Sequence, residues 1–565
     1  MKLTKAGLTI FKARYALRDD RGQVVETPEQ AVSRISRAAA SAEKQRQDHW
    51  ASEFSGLISE LLFIPSTPIW ANMGKPDCMQ QPAACFVLGI EDNLESMYQT
   101  LLESALIAKY GGGLGYNFSG IRPKGDIIHS TKGRASGPVE LIRLYNCSAA
   151  MIAQGGVRRG AYMGILDCTH PDISEFVKCK LRGELDNFNL SVGISDQFMH
   201  TLARDGDWTL SFRGKARGTI PARQVWDEIV DSAWACGEPG LIFLDHIQAG
   251  NPIPGQVIDA TNPCGEQPLS PGESCLLGSI NLARMMDEPE TDIHWERLAL
   301  TARTAVRFLD NLIDAGEYPF PFIKTNTMAS RKIGVGILGL HDLLIKLGLA
   351  YDSEEGRRQS AKLMAFIAEQ VQEATAALGQ EKGNFPLWGS SKFAVSRQPR
   401  RNASCLTIAP TGTISLLAGV EGYGIEPIFA VAYRKTYLQE GQPHRFNVFS
   451  PLFLAACQRQ GVESGALHEA ADRGTCQEVE GIPPDIQQLF KGAREIDAHD
   501  HLAMQVTLQK WVDNAISKTI NLPTATTAGT ISALYRKAWQ EGLKGITIFR
   551  EGSRAGIIEI GRSGY

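Results

Sequence analysis

The chain has 565 residues, 43% hydrophobic and 21% charged, and its 58 basic and 62 acidic side chains leave a formal net charge of −4. That balance suits a globular chain with a large core and offers no basic surplus for a nucleic-acid polymer or an anionic membrane surface. Met1-Lys2-Leu3-Thr4-Lys5-Ala6 lacks the apolar run of a signal peptide and no stretch of about 18 apolar residues follows, so the expected location is the cytoplasm, without a membrane. The eleven cysteines, odd in number and without a Cys-x-x-Cys pair, argue against a disulfide framework or zinc site and leave thiols available for chemistry.

A prior of about 150 residues per domain suggests about three or four units, a size that α/β barrels exceed as one. Thr27-Pro28-Glu29-Gln30 reads as N-cap, N1 proline and N3 glutamine, with an apolar stripe from Val32 and Ile35, so residues 1–62 are expected to be helical. Between 63 and 164 short apolar segments alternate with Gly-rich turns and a helical pattern over 94–108, as α/β architecture requires. Further helices are expected over 225–235, 298–312 and 361–378, and strands over 240–244 and 405–408. Residues 463–484 read as a surface insertion. Residues 504–512 read as an amphipathic helix running toward Asn521-Leu522-Pro523, where proline stops it.

Gly334-Val335-Gly336-Ile337-Leu338-Gly339 fits GxGxxG, with Asp352 at the distance of a ribose-binding acid. However, Ser330-Arg331-Lys332 is a poor buried strand, and close helix packing explains the glycines equally well. No Gly-Lys pair is followed by Ser or Thr, which excludes a Walker A loop. His468-Glu469 is followed by Asp472 where a zincin needs its second histidine.

Asn262-Pro263-Cys264-Gly265-Glu266, followed by Cys275, places a thiol between an amide and a carboxylate in a Pro/Gly-punctuated segment. Such a loop tip supplies a hydrogen abstractor, a hydrogen-bonding group and a base. Taken alone, the same cysteines could equally fill a core. Pro410-Thr411-Gly412-Thr413-Ile414-Ser415 offers hydroxyls and open backbone N–H groups where a strand turns into a helix, a natural seat for phosphate or, without ligand, a helix cap.

With Cys85, these motifs resemble the catalytic subunit of ribonucleotide reductase, and its adenosylcobalamin-dependent class II form more than class I. Thr67-Pro68-Ile69-Trp70-Ala71-Asn72, Ala108 to Gly113, Gly155-Gly156-Val157-Arg158-Arg159-Gly160-Ala161, Gly334 to Asp342 and Ser517-Lys518-Thr519-Ile520-Asn521-Leu522-Pro523 are similar to that family's landmarks in the same order. The resemblance implies a ten-stranded α/β barrel of two five-stranded half-sheets over 63–555. A central finger loop over 261–280 threads it, the helical region 1–62 precedes it and a short tail over 556–565 follows. The glycines of 334–339 then become barrel packing.

By the same resemblance, Cys264 is the thiyl, Glu266 takes the 3′-OH proton, and Asn262 hydrogen-bonds the substrate. Cys85 and Cys275, opposed across the barrel, become a disulfide as they supply two electrons. Thr67 and residues Pro410, Thr411, Gly412, Thr413, Ile414 and Ser415 are expected to seat the phosphates of a ribonucleoside diphosphate. Asp92, Arg122, Arg158 and Arg159 are expected at an effector site for a deoxynucleoside triphosphate or ATP at a homodimer interface. No metal ligands are expected.

No Tyr-Tyr dipeptide exists to relay a radical, and Lys544 to Arg554 resembles the class II ending, so adenosylcobalamin is the expected cofactor. Its Asp-x-His-x-x-Gly lower-ligand signature is absent, as is a glycyl-radical motif near the C-terminus. The start of the chain is expected to carry no ATP cone, and the tail no cysteine pair, which leaves a thioredoxin-like or small dithiol reductant to act from outside. Two alternatives remain open: a class I-like subunit with a metalloprotein partner, and a catalytically silent nucleotide-binding paralogue, against which the retention of all three thiols speaks.

Overall fold

The computed structural model describes residues 1–76, 78–153, 160–287, 292–439, 442–553. Three helices, Lys5–Arg14, Pro28–Ala40 and Gln47–Ser59, open the chain. The second begins with the expected capping box: Thr27 accepts from Gln30 N, and the Gln30 side chain accepts from Thr27 N. Its apolar stripe buries Val32, Ile35 and Ala39.

Strands β1 (Phe63–Pro65), β2 (Cys85–Val87), β3 (Gly113–Asn117), β4 (Tyr162–Asp167) and β5 (Phe188–Ile194) follow, then a hairpin, β6 (Asp207–Phe212) with β7 (Lys215–Pro221), and β8 (Gly240–Phe243). Next come the short pair β9 (Ala260–Thr261) and β10 (Pro268–Leu269), the long β11 (Ser274–Asn281), and β12 (Ile333–Leu338). A second hairpin, β13 (Ala432–Gln439) with β14 (Gln442–Phe449), precedes β15 (Thr519–Leu522) and β16 (Gly545–Arg550).

Five strands, β2, β3, β4, β5 and β8, lie parallel in that order. A second parallel set runs β11, β12, segment 404–408, segment 514–522 with β15, and β16. The sets meet antiparallel twice, at β2/β11 and at β8/β16, so the ten-stranded barrel of two half-sheets is the observed architecture. β1 extends the first seam by pairing with the far end of β11. Helices such as Leu94–Lys109, Ala222–Cys236 and Trp295–Ala315 form the crossovers between parallel neighbours, as parallel strands demand.

Four local expectations change. Residues 274–280 of the expected finger belong to wall strand β11, and the finger is the β9/β10 hairpin. The helix expected over 504–512 is Ala498–Gln509, and Pro523 closes a strand, because the apolar run around Ile520 pairs with β16. Residues 463–484 are not a loose insertion: helix Ser464–Arg473 buries Ala470 and Ala471 in a satellite core with Phe453, Cys457 and Phe490. Ser330, Arg331 and Lys332 are all buried ahead of a fully buried β12, and its glycines face strand and finger atoms rather than a helix. Arg331 is tolerated there because Asp310 and Asp314 bind its guanidinium at 2.7–2.9 Å.

Candidate functional site

The finger enters the barrel because glycines on both walls make room for it. A Cβ on Gly115 of β3 would stand 1.6 Å from Thr261 O, and one on Gly113 would stand 2.8 Å from Pro263 Cγ. On the other wall, a Cβ on Gly334 would meet Gln267 Nε2 at 2.7 Å. Both half-sheets then hold the tip: Asn189 Nδ2 donates to Pro263 O at 2.8 Å, and Thr407 Oγ1 and Ala515 N donate to Glu266 O at 2.8 and 3.0 Å. Within the tip, Gln267 N donates to Asn262 Oδ1 at 2.9 Å and Gly265 N to Asn262 O at 3.1 Å, with Gly265 at φ 81° where glycine is favoured.

Two cavities flank this tip. The first, about 310 Å³, is lined by Cys85, Asn262, Cys264, Glu266, Thr67 and residues 409–414, among others. The second, about 320 Å³, is lined by strand residues including Asn189, Ser191, Ser517, Lys518 and Gly545–Phe549. Pro263, Cys264 and Pro410 belong to both linings. The structure therefore gathers the amide, thiol and carboxylate of the motif around one space and gives the thiol a second face.

Cys85 and Cys275 are not opposed across the barrel. They are register partners on adjacent strands β2 and β11, at the antiparallel seam. Cross-strand partners have Cα atoms about 4.5–5.5 Å apart, inside the span a disulfide bridges; all eleven cysteines are present as thiols. Cys85 Sγ accepts from Asn262 Nδ2 at 3.1 Å, which ties the seam to the finger. Cys275 lies behind it, fully buried, and burial pushes its thiol well above the ordinary range, with the Lys332 ammonium acting in opposition. Lys332 is itself held by Glu273 at 2.6 Å, both side chains 1% exposed.

The floor of the first cavity joins two short helices, Thr67–Asn72 and Gly412–Ala418. Thr411 sits at φ 55°, held by Ser415 Oγ at 2.9 Å and by Gly424 N at 2.7 Å. Residues 410–414 line the cavity, whereas Ser415 braces Thr411 from outside the lining. Two N-terminal residues escaped sequence reasoning: Arg14 Nη1 donates to Thr413 Oγ1 at 3.4 Å, and Tyr15 OH shares a hydrogen bond of 3.1 Å with Thr67 Oγ1. No motif surrounds either, so only the packing of the first helix could reveal them. Lys518, in the second cavity, is also new; its buried ammonium is bound by Glu426 and lies 2.9 Å from His501 Nδ1.

At the finger's base, Asn117 Nδ2 donates to Asp259 O at 3.0 Å and to Asp167 Oδ1 at 3.4 Å. Burial raises the Asp167 carboxyl to about 6.

Asp92 and Arg122 do come together, away from the finger. Arg122 Nε donates to both carboxylate oxygens at 3.0 and 2.9 Å, and Arg213, in the β6/β7 turn, adds a contact of 3.4 Å. Arg158 and Arg159 lie outside the described residues. Beside this pair, helix Leu94–Lys109 exposes Leu94, Tyr98, Leu102 and Leu106, four residues at one-turn spacing and 40–69% exposed. Among the described residues, no three metal-ligating side chains cluster and no helix is long and apolar enough to cross a membrane.

A family model described as the barrel domain of ribonucleotide reductase matches residues 83–398 and 388–549, and one described as the all-alpha domain of the same enzyme matches residues 1–78. Among curated proteins, the chain is 44% identical to a vitamin B12-dependent ribonucleoside-diphosphate reductase of Mycobacterium tuberculosis, over 99% of this chain and 81% of that protein. It is 38% identical to a Thermoplasma acidophilum protein of the same name, over 98% and 80%. The fold matches the class Id ribonucleotide reductase alpha subunit of Actinobacillus ureae with a TM-score of 0.77 at 21% identity, covering 97% of each chain.

Proposed function

This chain belongs to the ribonucleotide reductase family, and from that premise we propose that it reduces ribonucleoside diphosphates to 2′-deoxyribonucleotides in the cytoplasm with adenosylcobalamin as cofactor. The observation that carries this reading is the position of Cys264, one thiol shared by two cavities of similar size.

In the first cavity, Thr67 and the 410–414 turn bind the phosphates, with Arg14 holding Thr413 and Ser415 bracing Thr411. The ribose then lies over Asn262, Cys264 and Glu266. The Cys264 thiyl removes the 3′ hydrogen atom, Glu266 accepts the 3′-OH proton, and the 2′-OH leaves as water. Cys85 and Cys275 each give up a hydrogen and form one S–S bond, so a ribonucleotide and two thiols become a deoxyribonucleotide, water and a disulfide. The 3′ hydrogen returns from Cys264. Asn262, bonded to Cys85 Sγ, aligns the reducing pair with the ribose.

The second cavity suits the cofactor because Gly240 and Gly545 keep its strand wall low: a Cβ on either would stand 3.1 Å from its neighbours across the seam. Strand residues 517–519 and 545–549 would hold the group there, with Lys518 fixed by Glu426. When bound, adenosylcobalamin supplies the hydrogen-atom acceptor that oxidises the Cys264 thiol.

The exposed stripe of Leu94, Tyr98, Leu102 and Leu106 supports a homodimer through this helix. The adjoining Asp92–Arg122 pair, with Arg213, would bound an effector site for a deoxynucleoside triphosphate or ATP. An external dithiol, thioredoxin-like or small, re-reduces the Cys85–Cys275 disulfide.

The test is an anaerobic assay on a ribonucleoside diphosphate with adenosylcobalamin and dithiothreitol and no second protein. Activity in the dark that is lost on prior photolysis of the cofactor is expected. Activity that requires an added metalloprotein would assign the chain to class I.

A further inference from the structure

The two arginines buried near the start of the second half-sheet's strands are treated very differently. Arg331 has the full carboxylate pairing described above. Among the described residues, the guanidinium of Arg400, 5% exposed, has only Asn402 O at 3.3 Å, Cys405 Sγ at 3.9 Å and Asp513 at 3.7 Å, beyond hydrogen-bond length, with the Phe393 ring 4.3 Å below it. A buried cation normally requires a close anionic partner. Asp513 cannot come closer without loss, because its two oxygens already accept Cys405 N at 2.9 Å and Leu406 N at 2.6 Å.

Arg400 borders a cavity of about 180 Å³ that also presents Lys392, Gln372, Gln398 and Ser404. Ser404 is 2% exposed, and its buried Oγ has no hydrogen-bond partner among the described residues. The Lys392 side chain is exposed, but its ammonium, which donates to Gly250 O at 3.4 Å and lies 5.7 Å from the Phe393 ring, is partly desolvated; that desolvation, aided by Arg400 and opposed by Asp513, lowers its pKa. Two cations, a spare hydroxyl and side-chain amides thus surround a space with a single carboxylate. The space lies beyond Ser404, at the opposite end of segment 404–408 from the 410–414 turn, so it is distinct from the catalytic cavities.

We propose that this cavity binds a small phosphate-class oxyanion, held by Arg400, Lys392 and Ser404. Its volume is the share of about six water molecules at about 30 Å³ each. That admits inorganic phosphate or a small phosphomonoester, and it falls below the range of about 300–1,000 Å³ that a nucleotide-sized ligand requires.

The probe is inorganic phosphate, titrated into the full-length protein against sodium chloride of matched ionic strength, with the thermal midpoint and the ³¹P linewidth as readouts. A saturable upward shift is expected in the wild type and in Arg14→Gln, which alters the catalytic phosphate turn. Phosphate affinity is expected to fall about tenfold or more in Arg400→Gln and in Lys392→Gln. Lys392 is on the surface, so its variant keeps the test valid where Arg400→Gln does not fold. A shift that never saturates, that Lys392→Gln leaves intact, or that vanishes in Arg14→Gln overturns the proposal. All of these outcomes are independent of whether the chain reduces ribonucleotides.

Discussion

The barrel has two seams of the same geometry and opposite chemistry. At β2/β11 the antiparallel register sets Cys85 against Cys275 and Phe86 against Ser274. At β8/β16 it sets Gly545 against Ile242 and Ile546 against Leu241. The first seam carries two thiols beside the first cavity; the second carries glycine and aliphatic residues along the other. An antiparallel junction brings side chains from distant parts of the chain face to face. On the proposed reading the barrel uses that property for redox chemistry at one junction and for open space at the other, with Cys264 between them.

The most severe way to break this arrangement is to remove the atom both sides share. Cys264→Ser should lower turnover on the order of 10⁴-fold or more, because the serine O–H bond is too strong to form the radical. Nucleotide binding, measured by calorimetry, should hardly change. Substantial residual turnover would remove Cys264 from the centre of the reaction.

Breaking the first seam alone should be milder in kind. Cys275→Ser should still permit radical initiation, yet lose steady-state turnover with a dithiol on the order of 10²-fold or more, about 2.7 kcal/mol. Rapid-quench measurement of radical formation beside steady-state turnover separates the two steps. If Cys264→Ser and Cys275→Ser fail identically, the division between initiating and reducing thiols is wrong.

The second seam should respond to volume instead. Gly545→Val fills space already within 3.1 Å of Ile242 and Leu241, so cobalamin affinity should weaken about tenfold or more, while nucleotide binding on the other side of the finger is preserved. Equilibrium dialysis with each ligand checks the contrast, and a nucleotide defect equal to the cobalamin defect would contradict it.

The smallest effect concerns the finger's base. The Asp167 carboxyl is raised from 3.8 to about 6, by burial first. The folded protein therefore holds this proton more tightly than the unfolded chain, so the contribution of this group to stability falls as pH rises from about 4 through 6. Asp167→Asn should consequently gain on the order of 1–3 kcal/mol at pH 8 and nothing near pH 3. Urea unfolding at the two pH values measures this, and a gain of the same size at both would remove burial of the charge as its cause.

Much of this was legible in the residues themselves. The capping box at Thr27, the helix over 94–108 and the polar residues flanking Cys264 each depend on neighbours within a few positions. Local patterns of that kind survive in a bare sequence. GxGxxG was legible as a cluster of glycines but not as a cause: a Cβ at Gly334 would collide with Leu277 and Thr407 on the barrel wall and with the finger residue Gln267, which no periodicity in 334–339 reveals. The end of the 498–509 helix was misplaced because a proline ends strands as readily as helices, and only pairing with β16 distinguishes the two.

The sequence by itself determined the inventory: three thiols, an amide and a carboxylate in a reductase-like order, a hydroxyl-rich turn, and the parallel α/β plan that carries them. Tertiary structure decided which of them meet. Strand register made Cys85 and Cys275 neighbours rather than opposites, helix packing brought Arg14 to Thr413, and glycines on both walls let the finger place Cys264 between two cavities. The physical reason is range: turn and helix chemistry is set over a few residues, whereas register, cavity shape and the pairing of buried charges arise only when segments distant in the chain compete for the same space.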